Sequence, residues 1–162
     1  FARLIRCFEK ASEGWAARLV IYGDGAERAR LEEIIRSSPA RDRILLAGKT
    51  EHPEAVLTGL DVFALSSDTE QTPTSLIEAM ASGLPALATD VGDVRLMMAD
   101  ADFAVAPDDE KEYAARLRAL IDDAGLRRRL GEANRLRASE FDQAAMIDAF
   151  RRLYLEAAGA GV

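Results

Sequence analysis

Apolar positions along this chain alternate between two rhythms, and the alternation predicts its architecture. FARLIRCFEKA opens with Phe1, Leu4, Ile5 and Phe8 at helical spacing. Arg18–Tyr22 (RLVIY) is a short apolar run closed by Gly23-Asp24-Gly25, which reads as a strand and turn. The charged stretch AERARLEEIIRSS then returns to the helical period. The same unit recurs. Arg43–Ala47 reads as a second strand, ends at Gly48 and passes through a loop into the short helix EAVLTGL. Asp61–Leu65 is a third strand, Leu84–Ala88 a fourth, and Phe103–Val105 a weaker fifth.

Strands of four to six apolar residues alternating with helices predict an α/β fold: a three-layer, Rossmann-like parallel sheet with helices on both faces. In such a sheet, ligands bind beyond the strand carboxyl ends. Those ends carry the turn at 23–25 and the loops at 48–52, 66–75 and 89–93, so four segments should meet at one edge. After Pro107 the pattern is wholly helical, which predicts extra carboxy-terminal helices within one domain spanning 1–162. The chain begins at Phe1 and inside a helical pattern, as expected of a fragment.

Composition narrows the function. With 21 basic and 28 acidic residues the net charge is −7, which opposes nonspecific binding to nucleic acid or an anionic membrane. A bound phosphate must therefore be held locally. The single cysteine, Cys7, cannot form an internal disulfide, as expected of a cytoplasmic protein, and is expected to fill core. No apolar run approaches the ~20 residues that cross a bilayer, and no membrane insertion is expected. No cysteine or histidine cluster offers a metal site, so neither metal nor cofactor is expected.

The chemistry concentrates in SSDTEQTPTSLIEAMASGLPALATDVGD, residues 66–93. Thr72-Pro73-Thr74-Ser75 reads as a helix cap followed by proline at the first helical position. Free N–H groups and the positive end of the helix dipole make that start an anion site. Glu70 lies just before the helix and Glu78 inside it, so two acids flank the phosphate position at different depths. Phosphate together with hydroxyl-binding acids points to a nucleotide sugar.

Other features read as ordinary structure. Gly23-x-Gly25 lacks the third glycine of a dinucleotide fingerprint, since Arg28 stands there; Gly23 is expected to form a positive-φ turn near a pyrophosphate. His52, the sole histidine, reads as a solvated loop residue rather than a catalyst. Asp108-Asp109 and Asp122-Asp123 read as helix-start or solvated charge, and Arg127-Arg128-Arg129 as a solvated face. Trp15 and the apolar positions of the last helix are expected to pack in a core or between lobes.

The pattern E-x-x-P-x-x-x-x-E-A-M-A-x-G-x-P followed by A-T-D-V-G resembles the donor-site signature of the retaining glycosyltransferases of family 4, also called glycosyltransferase group 1. YGDGAERARLE, ILLAG and GLDVFALSS fall in register around it, so the resemblance covers nearly the whole chain. It implies the carboxy-terminal lobe of a two-lobed GT-B enzyme, binding a nucleotide diphosphate sugar while a separate amino-terminal lobe binds acceptor. It implies that Glu70 sits at the donor sugar as the reaction-side acid and that Glu78 accepts from the ribose hydroxyls. It also implies that Pro73, Thr74 and Ser75 hold the pyrophosphate and that Thr50 and His52 fall on the loop bordering the nucleotide base. Gln71 replaces the family's common glycine, which implies either a narrower sugar pocket or an extra amide donor in it. The family's basic pair, an arginine and a lysine, belongs upstream of the segment resembling residues 1–8. The implied setting is cytoplasmic or membrane-peripheral, in exopolysaccharide or cell-envelope assembly. A noncatalytic nucleotide-sugar-binding module and a GT-B 2-epimerase are the alternatives; a phosphorylase ranks lower, because none of Lys10, Lys49 and Lys111 sits in a cofactor motif.

Overall fold

Five short strands, β1 (Leu19–Tyr22), β2 (Ile44–Gly48), β3 (Phe63–Leu65), β4 (Ala86–Thr89) and β5 (Ala104–Val105), alternate with helices in the expected order. The computed structural model describes residues 1–159. The helices are α1 (Ala2–Ala11), α2 (Arg28–Ser37), α3 (Pro53–Leu57), α4 (Thr74–Ala81), α5 (Val94–Met97), α6 (Glu110–Asp122), α7 (Ala124–Ala138) and α8 (Gln143–Ala157). Every paired strand is parallel, as the intervening helices require.

The strands do not form the single sheet that the sequence predicts. β1 pairs with β2, and separately β3, β4 and β5 form a second sheet in that order. Their burial reflects the division. All four β4 residues are buried, whereas Phe63, Ala64 and Leu65 of β3 and Leu19 and Val20 of β1 are only half-buried. Near-complete burial is what both covered faces give a central strand; β1 and β3 fall short of it.

The core is built by α1 packed on α6 and by α4 packed on α7, with α6 and α7 both reaching β4. Leu4, Ile5 and Phe8 supply the buried stripe of α1, and Cys7 lies buried beside them as expected. Tyr113 of α6 is buried, and its hydroxyl donates to the carbonyls of Leu65 at 3.1 Å and Leu87 at 3.4 Å, bridging β3 and β4. Asp109 and Asp123 cap α6 and α7 by accepting from the Glu112 and Leu126 N–H groups, as their spacing predicts.

Two groups expected in a core or between lobes stand outside this core, and one expectation needs correction. Trp15 is 44% exposed rather than core, because it follows the end of α1 in a turn. Met146, Ile147, Phe150, Leu153 and Tyr154 of α8 are likewise exposed, so that apolar stripe does not contribute to this core. Arg127 does not join a solvated face: its guanidinium donates to the carbonyls of Leu120 and Ile121, which the end of α6 leaves without helical partners.

Candidate functional site

The strand carboxyl ends bring the expected loops together, and two of them are stitched to each other. After β3, the Ser67 hydroxyl donates to Glu70 Oε1 at 2.6 Å, fixing the half-buried carboxylate against its own loop. After β4, the Thr89 hydroxyl donates to the Ser67 carbonyl at 2.7 Å. The Asp93 N–H donates to the Gln71 carbonyl at 2.9 Å, and the Thr72 hydroxyl to Asp93 Oδ2 at 2.9 Å. Between these contacts Gly92 adopts φ +57°, with its α-carbon so close that a β-carbon would lie 2.4 Å from the Glu70 carbonyl oxygen. Only glycine meets both demands.

This stitching changes the reading of the α4 start. Thr72 does not cap the helix, because its hydroxyl is committed to Asp93. Pro73 is the N-cap instead, buried, at φ −68° and ψ 109°, with no side-chain cap bond. Its carbonyl accepts from Leu76 at 3.1 Å and Ile77 at 3.4 Å. Among the described residues, the N–H groups of Thr74 and Ser75 have no hydrogen-bond acceptor. They are exposed at the positive end of the helix dipole, which suits an anion. At the other end, α4 stops where Gly83 takes φ +76°; the Gly83 N–H bonds Met80 and the Leu84 N–H bonds Ala79, as in a Schellman turn.

Glu78 lies one turn inside α4, exposed, and its carboxylate joins no ion pair among the described residues. It lines a cavity of about 830 Å³ together with Ser75, Thr50 and Tyr22. Glu70, Gln71, Thr74 and His52 do not line that cavity. The structure thus divides the expected residues into those that line the cavity and those that do not. Gly23 has φ +119°, and its N–H donates to the Gly48 carbonyl at 2.8 Å, closing the ends of β1 and β2 together. Thr50 accepts from the His52 N–H at 3.0 Å, and the exposed imidazole sits 3.3 Å from Glu54.

Sequence reasoning missed several members of this arrangement. Ser67 and Thr89 hold the Glu70 loop but carry no spacing signal, since their partners are chosen by the fold. Arg3 of α1 donates to the Ser66 carbonyl at 3.1 Å and pairs with Asp68, placing a cation at the same loop. Nothing in the local pattern around Arg3 marks it. Among the described residues no three His, Cys, Asp or Glu side chains cluster as metal ligands, and no helix is long and apolar enough to cross a membrane.

Comparison with known proteins gives consistent matches. The family described as glycosyl transferases group 1 matches residues 1–137. N-acetyl-alpha-D-glucosaminyl L-malate synthase of Bacillus anthracis is 29% identical over 142 residues, covering 86% of this chain and 37% of that protein. The lipopolysaccharide core biosynthesis glycosyltransferase LpsD of Rhizobium meliloti is 30% identical over 158 residues, covering 95% of this chain and 45% of its own length. The chain therefore spans less than half the length of either relative. Among solved structures, S. aureus TarM, crystallised with fondaparinux, alpha-GlcNAc-glycerol and UDP, superposes with a TM-score of 0.83 at 21% identity, covering 94% of this chain and 32% of TarM.

Proposed function

The chain belongs to the glycosyl transferases group 1 family, and on that premise we propose that it is the donor-binding lobe of a retaining glycosyltransferase of family 4. It binds a nucleotide diphosphate sugar, and the intact enzyme transfers the sugar to a hydroxyl acceptor held by an amino-terminal lobe. The observation that carries the reading is the start of α4. Two unpaired N–H groups, of the exposed residues Thr74 and Ser75, stand there, with the anchored Glu70 shortly before the helix and Glu78 one turn inside it.

In this reading the diphosphate sits at the α4 start, where the N–H groups stabilise the charge that grows on the leaving phosphate. The bond from the anomeric carbon to that phosphate oxygen breaks while the acceptor oxygen bonds on the same face, and the acceptor proton passes to the leaving phosphate. Glu70, held by Ser67, supplies negative charge beside the anomeric carbon as it becomes electron-poor. Glu78, one turn deeper, accepts the ribose hydroxyls, with Thr50 and His52 towards the base. Gln71 offers its amide to the sugar. In this reading the step needs neither metal nor cofactor. Uridine diphosphate is the first nucleotide to test, because the TarM structure contains UDP. The name of the LpsD relative makes cell-envelope glycan assembly the first setting to test.

The deciding experiment uses the longer protein. Glu70→Gln is expected to abolish transfer while nucleoside diphosphate affinity, read by calorimetry, stays within about twofold of wild type. Glu78→Ala is expected to weaken nucleotide binding by about 1–3 kcal/mol, roughly 5- to 150-fold. Transfer by the wild type is expected to persist in EDTA. Tight donor binding with no turnover, in wild type and Glu70→Gln alike, would make the chain a noncatalytic sugar-nucleotide module instead.

A further inference from the structure

Three consecutive carbonyls lead from β3 towards Glu70, and each is held by a side chain from a different element. Leu65, the last residue of β3, accepts from the Tyr113 hydroxyl of α6 at 3.1 Å. Ser66 accepts from the Arg3 guanidinium of α1 at 3.1 Å. Ser67 accepts from the Thr89 hydroxyl, at the end of β4, at 2.7 Å. Leu65 also pairs with Ala88 in the ladder. Beyond it the ladder stops, and among the described residues no backbone N–H donates to the Ser66 or Ser67 carbonyl. Side chains alone satisfy these two groups, in a segment where Ser66 is buried and Ser67 half-buried. A polar group so placed must keep its partner or turn to water.

Thr89 differs from the other two donors. It is fully buried, at the end of a strand whose other residues are Ala86, Leu87 and Ala88. Valine has nearly the same shape, suits a buried strand and needs no partner, so a hydroxyl here is explained by what it holds. It holds the Ser67 carbonyl, and the Ser67 hydroxyl in turn holds Glu70 Oε1 at 2.6 Å. Arg3 divides its guanidinium between the Ser66 carbonyl and Asp68, and Tyr113 bridges Leu65 and Leu87. Of the three donors, Thr89 alone acts on the residue that carries the partner of Glu70.

We propose that Thr89 is a positioning residue for Glu70. Through the Ser67 backbone it sets the direction from which the Ser67 hydroxyl meets the carboxylate, and so where that carboxylate stands. The inference rests on the donor-site reading, in which Glu70 faces the anomeric carbon; Thr89, being fully buried, touches neither donor nor acceptor. Without its hydroxyl the Ser67 carbonyl turns to water, the Ser67 side chain turns with it, and Glu70 loses its fixed place. A misplacement of about 1 Å at a reacting group costs up to about 100-fold in rate. The open N–H groups of Thr74 and Ser75, and Glu78, lie outside this chain of bonds, so nucleotide affinity is unaffected.

The longer protein tests this with Thr89→Val, Thr89→Ser and Glu70→Gln. Turnover is read as nucleoside diphosphate released from a panel of UDP-, GDP- and ADP-hexoses, with water accepting the sugar. Affinity is read by calorimetry with uridine, guanosine and adenosine diphosphates. Thr89→Val is expected to lower kcat by about tenfold or more, while donor KM, nucleoside diphosphate affinity and binding stoichiometry stay within about twofold of wild type. Thr89→Ser keeps the hydroxyl and is expected to hold kcat within about threefold of wild type. A crystal structure of Thr89→Val is expected to show the Ser67 hydroxyl out of hydrogen-bonding range of Glu70. If Thr89→Val does not fold, Thr89→Ala, which also lacks the donor, decides by the same measurements. Wild-type kcat in Thr89→Val beside an inactive Glu70→Gln overturns the positioning role and leaves the donor-site reading standing. A parallel fall of kcat and binding stoichiometry also overturns it, because Thr89 then serves folding alone. Undiminished turnover by Glu70→Gln overturns both the positioning role and the reading.

Discussion

Replacing Gly92 by alanine tests whether the two site loops are held as described. Alanine at φ +57° carries a backbone cost of about 1–2 kcal/mol, because its β-carbon crowds the following carbonyl. The new methyl would also lie 2.4 Å from the Glu70 carbonyl oxygen and 2.5 Å from that of Gln71, both backbone atoms that no rotamer change can move. Restoring ordinary contact requires the loops to part by roughly 1 Å. That movement stretches the Asp93 N–H to Gln71 bond from 2.9 Å to beyond hydrogen-bonding range, a loss of about 1–2 kcal/mol more. The sum is about 2–4 kcal/mol, read as a shift of the urea midpoint. Gly48→Ala is the control, since Gly48 has φ +77° but its nearest neighbour is the tip of Arg28 at 4.0 Å. It bears the backbone cost without the clash. Gly92→Ala should therefore be the more destabilising by about 1–2 kcal/mol; equal losses would refute the stitched-loop account.

Gly131 lies within α7, where alanine is intrinsically favoured by about 1 kcal/mol, yet its β-carbon would come 2.1 Å from the Gly83 carbonyl oxygen. Gly131→Ala is expected to destabilise by about 1–3 kcal/mol, and a stabilised variant in chemical denaturation would contradict that packing. The Arg6 guanidinium, bonded to Glu110, holds that carboxyl below its ordinary range. The unfolded chain then takes up the proton first as pH falls, so this contribution is present above the ordinary carboxylate pKa and disappears as pH drops through the folded one. Arg6→Ala should accordingly flatten the acid limb of the stability profile, whereas a profile parallel to wild type would exclude the linkage. Burial pushes the Cys7 thiol up to about 11, with only 1% of the residue exposed. Its alkylation at pH 8 should await unfolding, and labelling in native buffer at the rate of a free thiol would show that α1 opens locally.

Much of the fold is legible locally because its punctuation is local. Gly23, Gly48 and Gly83 end two strands and a helix with positive φ, and each sits where the apolar rhythm breaks. Asp109 and Asp123 announce the helices that they cap. Pairing is not local. RLVIY and DVFALSS each read correctly as a strand, but neither run states which edge its neighbour occupies, so the division into two sheets leaves no mark in the pattern. The site divides in the same way. Glu70, Glu78 and the α4 start are visible in one continuous motif. The bonds that hold that motif join residues 21 and 22 positions apart, Thr72 to Asp93 and Ser67 to Thr89, and depend on tertiary closeness. Thr72 illustrates the cost of reading locally: its sequence context predicts a cap, and a competing carboxylate claims its hydroxyl.

The contact between Gly131 and Gly83 bears on more than α7. It clamps the rear of α4, where Asn134 of α7, buried, also donates to the Leu84 carbonyl at 3.0 Å. A helix latched at its tail cannot recoil along its axis when a charged group pulls on its head. The open N–H groups of Thr74 and Ser75 are thus preorganised, and an arriving anion need not spend affinity on ordering them. Loosening the latch far from the ligand should register as weaker binding at the opposite end of the helix, with every contacting residue unchanged.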